Sequence, residues 1–220
     1  YNKQDLIKAG YKCKIDVLPI LIAFSDYDKK PDAPLYGKYN DGVTNIIFTG
    51  RIASNKCQQD VIHAFGLYQK SNSRLILVGN EGGYETYKLK MQKYAQLNCI
   101  KNVIFTGHIR FAEILACYKA ADLFLCMSEH EGFCVPLVEA MYFKIPVIAY
   151  NSSAVGETLG KGGILLNEKN ALETAALMDK ILKDKGLQKK IIANQNERLD
   201  DFAHDKILAR FNELLRENVL

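Results

Sequence analysis

From Asn45 onward, short uninterrupted apolar runs alternate with longer helical stretches. The runs Ile46–Thr49, Leu75–Val78, Val103–Thr106, Leu123–Met127, Val147–Tyr150 and Gly163–Leu166 predict strands, and stretches 56–70, 83–97, 111–119, 136–143 and 170–184 predict the helices that separate them. Strands apolar at consecutive positions are buried on both faces, so this alternation predicts an α/β fold with a Rossmann-like parallel sheet covered by helices on both sides. Ligands of such sheets bind beyond the carboxyl ends of the strands. Residues 186–202 and 204–220 predict two further helices, the last carrying Ile207, Leu208, Phe211, Leu214 and Leu215 at helical spacing. Ahead of the array, residues 1–24 predict a short amphipathic segment through Tyr11 and an apolar strand at Ile15–Ile20. Residues 25–44 are polar and rich in turn formers and predict a connector.

Two strand ends carry candidate chemistry. After the fourth apolar run comes Glu131-Gly132-Phe133-Cys134-Val135-Pro136-Leu137-Val138-Glu139, a Gly turn followed by a Pro-opened helix with a carboxylate at each end. A helix N-terminus has unpaired N–H groups and a partial positive charge, so this corner suits a phosphate, with both carboxylates within reach of ligand hydroxyls. Glu is also common in first helical turns, where it complements the dipole, and a lone pair at this spacing carries little weight. After the first run comes Thr49-Gly50-Arg51-Ile52-Ala53-Ser54-Asn55-Lys56. Cations at the start of a helix oppose its dipole, and an anion held between Arg51 and Lys56 explains them better than helix stability does. Ordinary surface solubility is the bland alternative. Gly79, in a Gly-rich strand end that matches neither a Walker loop nor GxGxxG, reads as a tight turn beside the ligand.

The stretch Ser128–Phe133, the Pro136-Leu137 pair, Glu139-Ala140-Met141 and Ile145–Ala149 together resemble the signature region of family 4 retaining glycosyltransferases, which have the GT-B fold of two facing Rossmann-like domains. The Gly50-Arg51…Lys56 spacing resembles that family's diphosphate clamp, with Cys57 where the family often has Gly. The resemblance covers roughly residues 45–202. It implies a donor-binding, carboxyl-terminal half, with residues 1–44 an interdomain segment and connector. Residues 203–220 would be a helix packing on an amino-terminal acceptor domain outside this chain. The stretch Pro19-Ile20-Leu21-Ile22 departs from the family, which usually has a Gly and an Asp there.

By that resemblance the donor is a nucleotide-diphospho-sugar, and neither a further cofactor nor a metal is implied. Arg51 and Lys56 would neutralise the leaving diphosphate, Glu131 would hold the donor sugar and Glu139 the ribose. Gly50 and Gly79 would border the site, backbone near Ile109 would receive the base, and amides near Gly132, Phe133, Cys134 and Leu137 would hold phosphate or sugar oxygens. A GT-B nucleotide-sugar 2-epimerase, a nicotinamide oxidoreductase and a non-catalytic nucleotide-sugar-binding module are the alternatives. The epimerase needs an acid/base pair beyond the two glutamates, and the oxidoreductase a GxGxxG after a strand.

The 220 residues are 48% hydrophobic, enough for one well-buried domain. The net charge of +4 suits an anionic ligand and is too diffuse to argue for nucleic acid. The six cysteines form no CxxC pair and read as reduced core residues of a cytoplasmic protein, and the histidines are too scattered for a metal site. Neither a signal peptide nor a run of the ~20 apolar residues of a membrane span stands out, although peripheral membrane association of a full-length enzyme is compatible with the resemblance. Tyr at position 1 points to an excised domain or a cleaved product, expected to bind donor but transfer little.

Overall fold

The structure, a computed structural model, describes residues 1–68, 70 and 72–218, with Asn218 described by its backbone alone. Its centre is a parallel sheet of β1 (Thr44–Thr49), β2 (Ser73–Val78), β3 (Val103–Phe105), β4 (Leu123–Cys126), β5 (Val147–Tyr150) and β6 (Ile164–Leu166). The spatial order is β3-β2-β1-β4-β5-β6. The chain runs outward from β1 to β3, crosses back to place β4 beside β1, and runs outward again. Consecutive residues Ile46 and Ile47, Leu75 to Leu77, Leu123 to Leu125, and Val147 to Ala149 are all fully buried, which is the burial expected of a sheet covered on both faces. The helices are α1 (Asn2–Lys8), α2 (Ala33–Tyr39), α3 (Gln58–Tyr68), α4 (Glu85–Leu97), α5 (Phe111–Lys119), α6 (Val135–Tyr142), α7 (Val155–Leu159), α8 (Ala171–Lys183), α9 (Lys185–Leu199) and α10 (His204–Asn218).

All six expected strands of the regular array form, with ends shifted by up to two residues. The differences lie mainly before the array. Ile15–Ile20 is not a strand; it pairs with no strand of the sheet, and Val17, Leu18 and Ile20 are exposed. An apolar run without a neighbouring strand has nowhere to place its backbone hydrogen bonds, and Pro19 removes a donor from it. The connector is in part helical. Asp32 caps α2 by accepting from the Leu35 amide at 2.9 Å, Pro34 sits in its first turn, and a 3-10 turn at Phe24–Asp28 buries Tyr27. The helix expected over 186–202 ends as α9 at Leu199 and continues as a 3-10 turn, Asp200–Phe202. Two of the cysteines, Cys13 and Cys99, are exposed rather than in the core. Gln69 and Val219–Leu220, at the ends of two expected helices, lie outside the described residues.

The apolar stripe of α10 is divided. Ile207 is 4% exposed and packs within this chain, whereas Leu208, Phe211 and Leu215 are 45%, 43% and 39% exposed. Ile207 is therefore unavailable to any further domain. The helix also meets the segment before the sheet, through Lys14–Glu217 at 3.0 Å and Arg210–Asp16 at 3.8 Å. Ile207→Ala should lower the unfolding free energy by about 2 kcal/mol, the low end for a buried large-to-small change, and Leu208→Ala by under about 0.5 kcal/mol. Urea titration of the two variants checks this; equal losses would mean that the stripe packs as a whole on its own domain.

Candidate functional site

The reversal of strand order between β1 and β4 opens a crevice at the carboxyl ends of the strands, the place where open α/β sheets bind ligands. On one side, β1 leads into Gly50 and Arg51, and β2 into Gly79. The pairing continues past the strands through Gly50 N–H to Val78 O at 2.9 Å and Ile52 N–H to Asn80 O at 2.8 Å. A Cβ on Gly79 would lie 2.1 Å from the Gly50 carbonyl oxygen, so this approach of two backbones requires glycine. Together with Gly107, His108 and Ile109 beyond β3, these residues line a cavity of about 260 Å³. Gly50, Arg51, Gly79 and Ile109 thus share one wall. Arg51 is exposed, and its guanidinium lies 5.0 Å from the Tyr84 ring centre. Arg110, next to Ile109, is instead occupied at the surface by Asp32 at 3.1 Å and Glu113 at 3.0 Å.

Across the crevice, the loop after β4 is tied to the loop after β1. Glu129 N–H donates to Asn55 O at 2.9 Å, and Asn55 Nδ2 donates to His130 O at 3.3 Å. The loop is also held from β5: Glu131 N–H donates to Ser153 Oγ at 2.7 Å, and Ser152 Oγ donates to Ser128 O. These ties place Lys56 Nζ 2.7 Å from Glu131 Oε1, with the two side chains only 17% and 10% exposed. The structure therefore brings together a cation and a carboxylate that the sequence assigns to different parts of a ligand. The ammonium retains further donors and the carboxylate a second oxygen, so the pair can present both charges to one bound molecule.

Cys134 caps α6 in the left-handed region, at φ 71°, and Cys57 stands in the same region at φ 50° just before α3. Both positions would be unstrained with glycine. No backbone carbonyl among the described residues accepts from the amides of Gly132, Phe133 or Cys134. The amide of Leu137 is different: it donates to Cys134 O at 3.0 Å, and the Leu137 side chain is fully buried. That removes Leu137 from the amides free to meet a ligand. A larger cavity, about 460 Å³, lies on the other side of Gly132 and Phe133, against Tyr1–Lys3 and Val17–Ile20. The smaller one sits at the strand ends beside Arg51, where open α/β sheets bind ligands.

Glu139, on α6, is half-buried. Its Oε1 accepts from Tyr27 Oη at 3.0 Å and its Oε2 from Tyr118 Oη at 2.6 Å. Neither tyrosine is among the residues the sequence singles out. Tyr118 had a signal, a hydroxyl on the buried face of a helix, which must find a partner; Tyr27 had none, since it lies in a stretch read as connector. Buried with the donors of two rings, Glu139 has a fixed carboxylate.

The chain belongs to the family described as glycosyl transferases group 1, whose sequence model matches residues 37–198. It is 30% identical over 129 residues to a GDP-mannose-dependent alpha-mannosyltransferase of Mycolicibacterium smegmatis, a match covering 58% of this chain and 31% of that one. The fold matches that of Anabaena Alr3699/HepE, solved in complex with UDP and glucose, with a TM-score of 0.85 at 22% identity over 98% of this chain and 60% of that one. A glycosyltransferase of Rickettsia africae is similarly close, with a TM-score of 0.84 at 21% identity, covering 98% and 61%. The chain thus spans about a third of the mannosyltransferase and three fifths of the two solved chains. Among the described residues no helix is long and apolar enough to cross a membrane.

Burial holds the Glu139 carboxyl above its ordinary range, against the opposing pull of the Tyr118 and Tyr27 hydroxyls. Between the ordinary carboxyl value, about 4.3, and the raised one, the folded chain keeps a proton that the unfolded chain has lost. Stability therefore falls as pH rises through that window and levels off above it. Glu139→Gln has no such proton, so its stability relative to the wild-type chain should increase as the pH goes from acid towards neutral. Urea midpoints of the two chains across this range check the sign, and a wild-type chain that gains on the variant with rising pH would show that the hydroxyls outweigh burial.

Proposed function

We propose that this chain is the donor-binding half of a retaining glycosyltransferase, which moves a hexosyl group from a nucleotide-diphospho-sugar to an acceptor hydroxyl. The observation that carries the reading is the Lys56–Glu131 pair, held where the loops after β1 and β4, the two strands at the switch point, are tied to each other. The complex of the Anabaena neighbour with UDP and glucose supports a donor of this class. The base lies in the cavity near Ile109, the ribose hydroxyls reach Glu139, and the diphosphate lies between Arg51, Lys56 and the amides of Gly132, Phe133 and Cys134. The sugar faces Glu131.

As the bond from the anomeric carbon to the diphosphate oxygen breaks, positive charge grows on the ring and negative charge on the leaving group. Cations and amides already fixed in place stabilise that leaving group without reorganising. Glu131, paired to Lys56, stands where the ring charge grows and holds sugar hydroxyls in position. These groups bring the charge that a divalent ion would otherwise supply, so donor should bind in the presence of a chelator. The acceptor is held by an amino-terminal domain outside this chain. Nothing in the site favours the epimerase or a purely binding module over transfer.

Calorimetry with uridine, UDP, UDP-glucose and GDP-mannose, in chelator, tests the reading. Arg51→Ala and Lys56→Ala should each weaken nucleoside diphosphate by about tenfold to a hundredfold, the loss of one charge-assisted contact, and leave the nucleoside nearly unaffected. Glu139→Gln should weaken nucleoside and diphosphate alike, and Glu131→Gln only the sugar-bearing donor. Binding that requires magnesium, or losses that are equal for nucleoside and diphosphate, would contradict the assignment.

A further inference from the structure

The strand–loop–helix corner brings two buried thiols to a carboxylate. Cys126 closes β4, Cys134 caps α6, and the loop between them folds back so that one sulfur of each and a carboxylate oxygen of Glu131 lie within 4.8 Å of one another. The three residues are 1%, 5% and 9% exposed. Buried cysteines are most often small apolar fillers. Here, however, Cys134 keeps a left-handed backbone that costs a side chain about 1–2 kcal/mol and glycine nothing, and its sulfur faces a second sulfur and a carboxylate rather than aliphatic carbon alone.

We propose that Cys126, Cys134 and Glu131 form a three-ligand site for a thiophilic divalent cation of the zinc class, within the same loop that faces the donor. Zinc–sulfur bonds of about 2.3 Å at a tetrahedral angle put two sulfurs roughly 3.8 Å apart, so the observed spread needs only a small contraction. Three protein ligands leave a fourth position for water or a ligand oxygen. Charge closes as well. Two thiolates and one carboxylate are balanced by a divalent cation and the Lys56 ammonium, already 2.7 Å from Glu131. On binding, the two thiol protons leave to solvent while Lys56 keeps its own. Since it draws Glu131 inward, the bound cation would act as a reversible inhibitor of sugar-donor binding. That consequence, unlike the site itself, rests on the function proposed above.

The test uses the reduced chain with the exposed Cys13 and Cys99 changed to serine, titrated with cobalt as a spectroscopic substitute and then with zinc. One equivalent of cobalt should produce a near-ultraviolet thiolate-to-cobalt absorption that zinc abolishes. The band should be lost in Cys126→Ser and in Cys134→Gly, the latter a change to the residue its backbone favours, with circular dichroism confirming that both variants remain folded. A chain that gives no band at one equivalent, or a band that survives in both folded variants, overturns the site. UDP binding measured separately in chelator distinguishes the two readings: its absence would remove the proposed function and leave the cobalt result standing.

Discussion

The crevice exists because the connections of β1 and β4 leave the sheet in opposite directions. In a parallel sheet the carboxyl ends of the strands all lie at one edge, and each connection crosses to one face of the sheet; only where the order reverses do the connections of two adjacent strands go to opposite faces and leave a gap between their loops. The residues proposed to act on a ligand stand around that gap. Arg51 and Lys56 arrive from β1, Gly79 from β2, Ile109 from beyond β3, and Glu131 from β4. The sheet thus determines which residues meet, although they lie up to eighty positions apart in the chain.

Within the crevice, geometry depends on loops being tied to one another rather than on helix ends alone. Asn55 bonds to the backbone of Glu129 and His130, and Ser152 and Ser153 hold the same loop from β5. The Lys56–Glu131 pair is the outcome. A largely buried ion pair is poor evidence for stability, since desolvation offsets much of its attraction. Glu139 shows a related compromise: its burial disfavours the charge, and two tyrosine hydroxyls restore part of the lost hydration and fix its direction.

The strands and the α/β class were legible because a buried parallel sheet writes itself as consecutive apolar runs, such as Leu75–Val78, and glycines mark where such runs end. The segment before the sheet was not legible. Ile15–Ile20 has strand composition, but strand formation requires a partner, and the sequence does not say that none is near. Tyr27 was hidden for the complementary reason, since local polarity described its neighbours and not the carboxylate it would meet more than a hundred residues later. Of the cavity walls, Gly79 followed from its strand end, whereas Gly50 and Ile109 came from the family resemblance. The pairing of Lys56 with Glu131, and the meeting of Cys126 with Cys134, depend on how loops cross and had no signature in spacing.

The central claim is that the ligand site is the crevice at the switch point and not the larger cavity against the first residues of the chain. A two-dimensional amide spectrum of the labelled chain titrated with UDP in chelator tests it most directly. The account predicts that the largest shifts fall at Gly50, Arg51, Gly79, Ile109 and Gly132 to Cys134, and that Asn2, Lys3, Val17 and Leu18 move little. Shifts concentrated at Asn2–Lys3 and Val17–Leu18, with Gly50 and Gly79 unmoved, would contradict it.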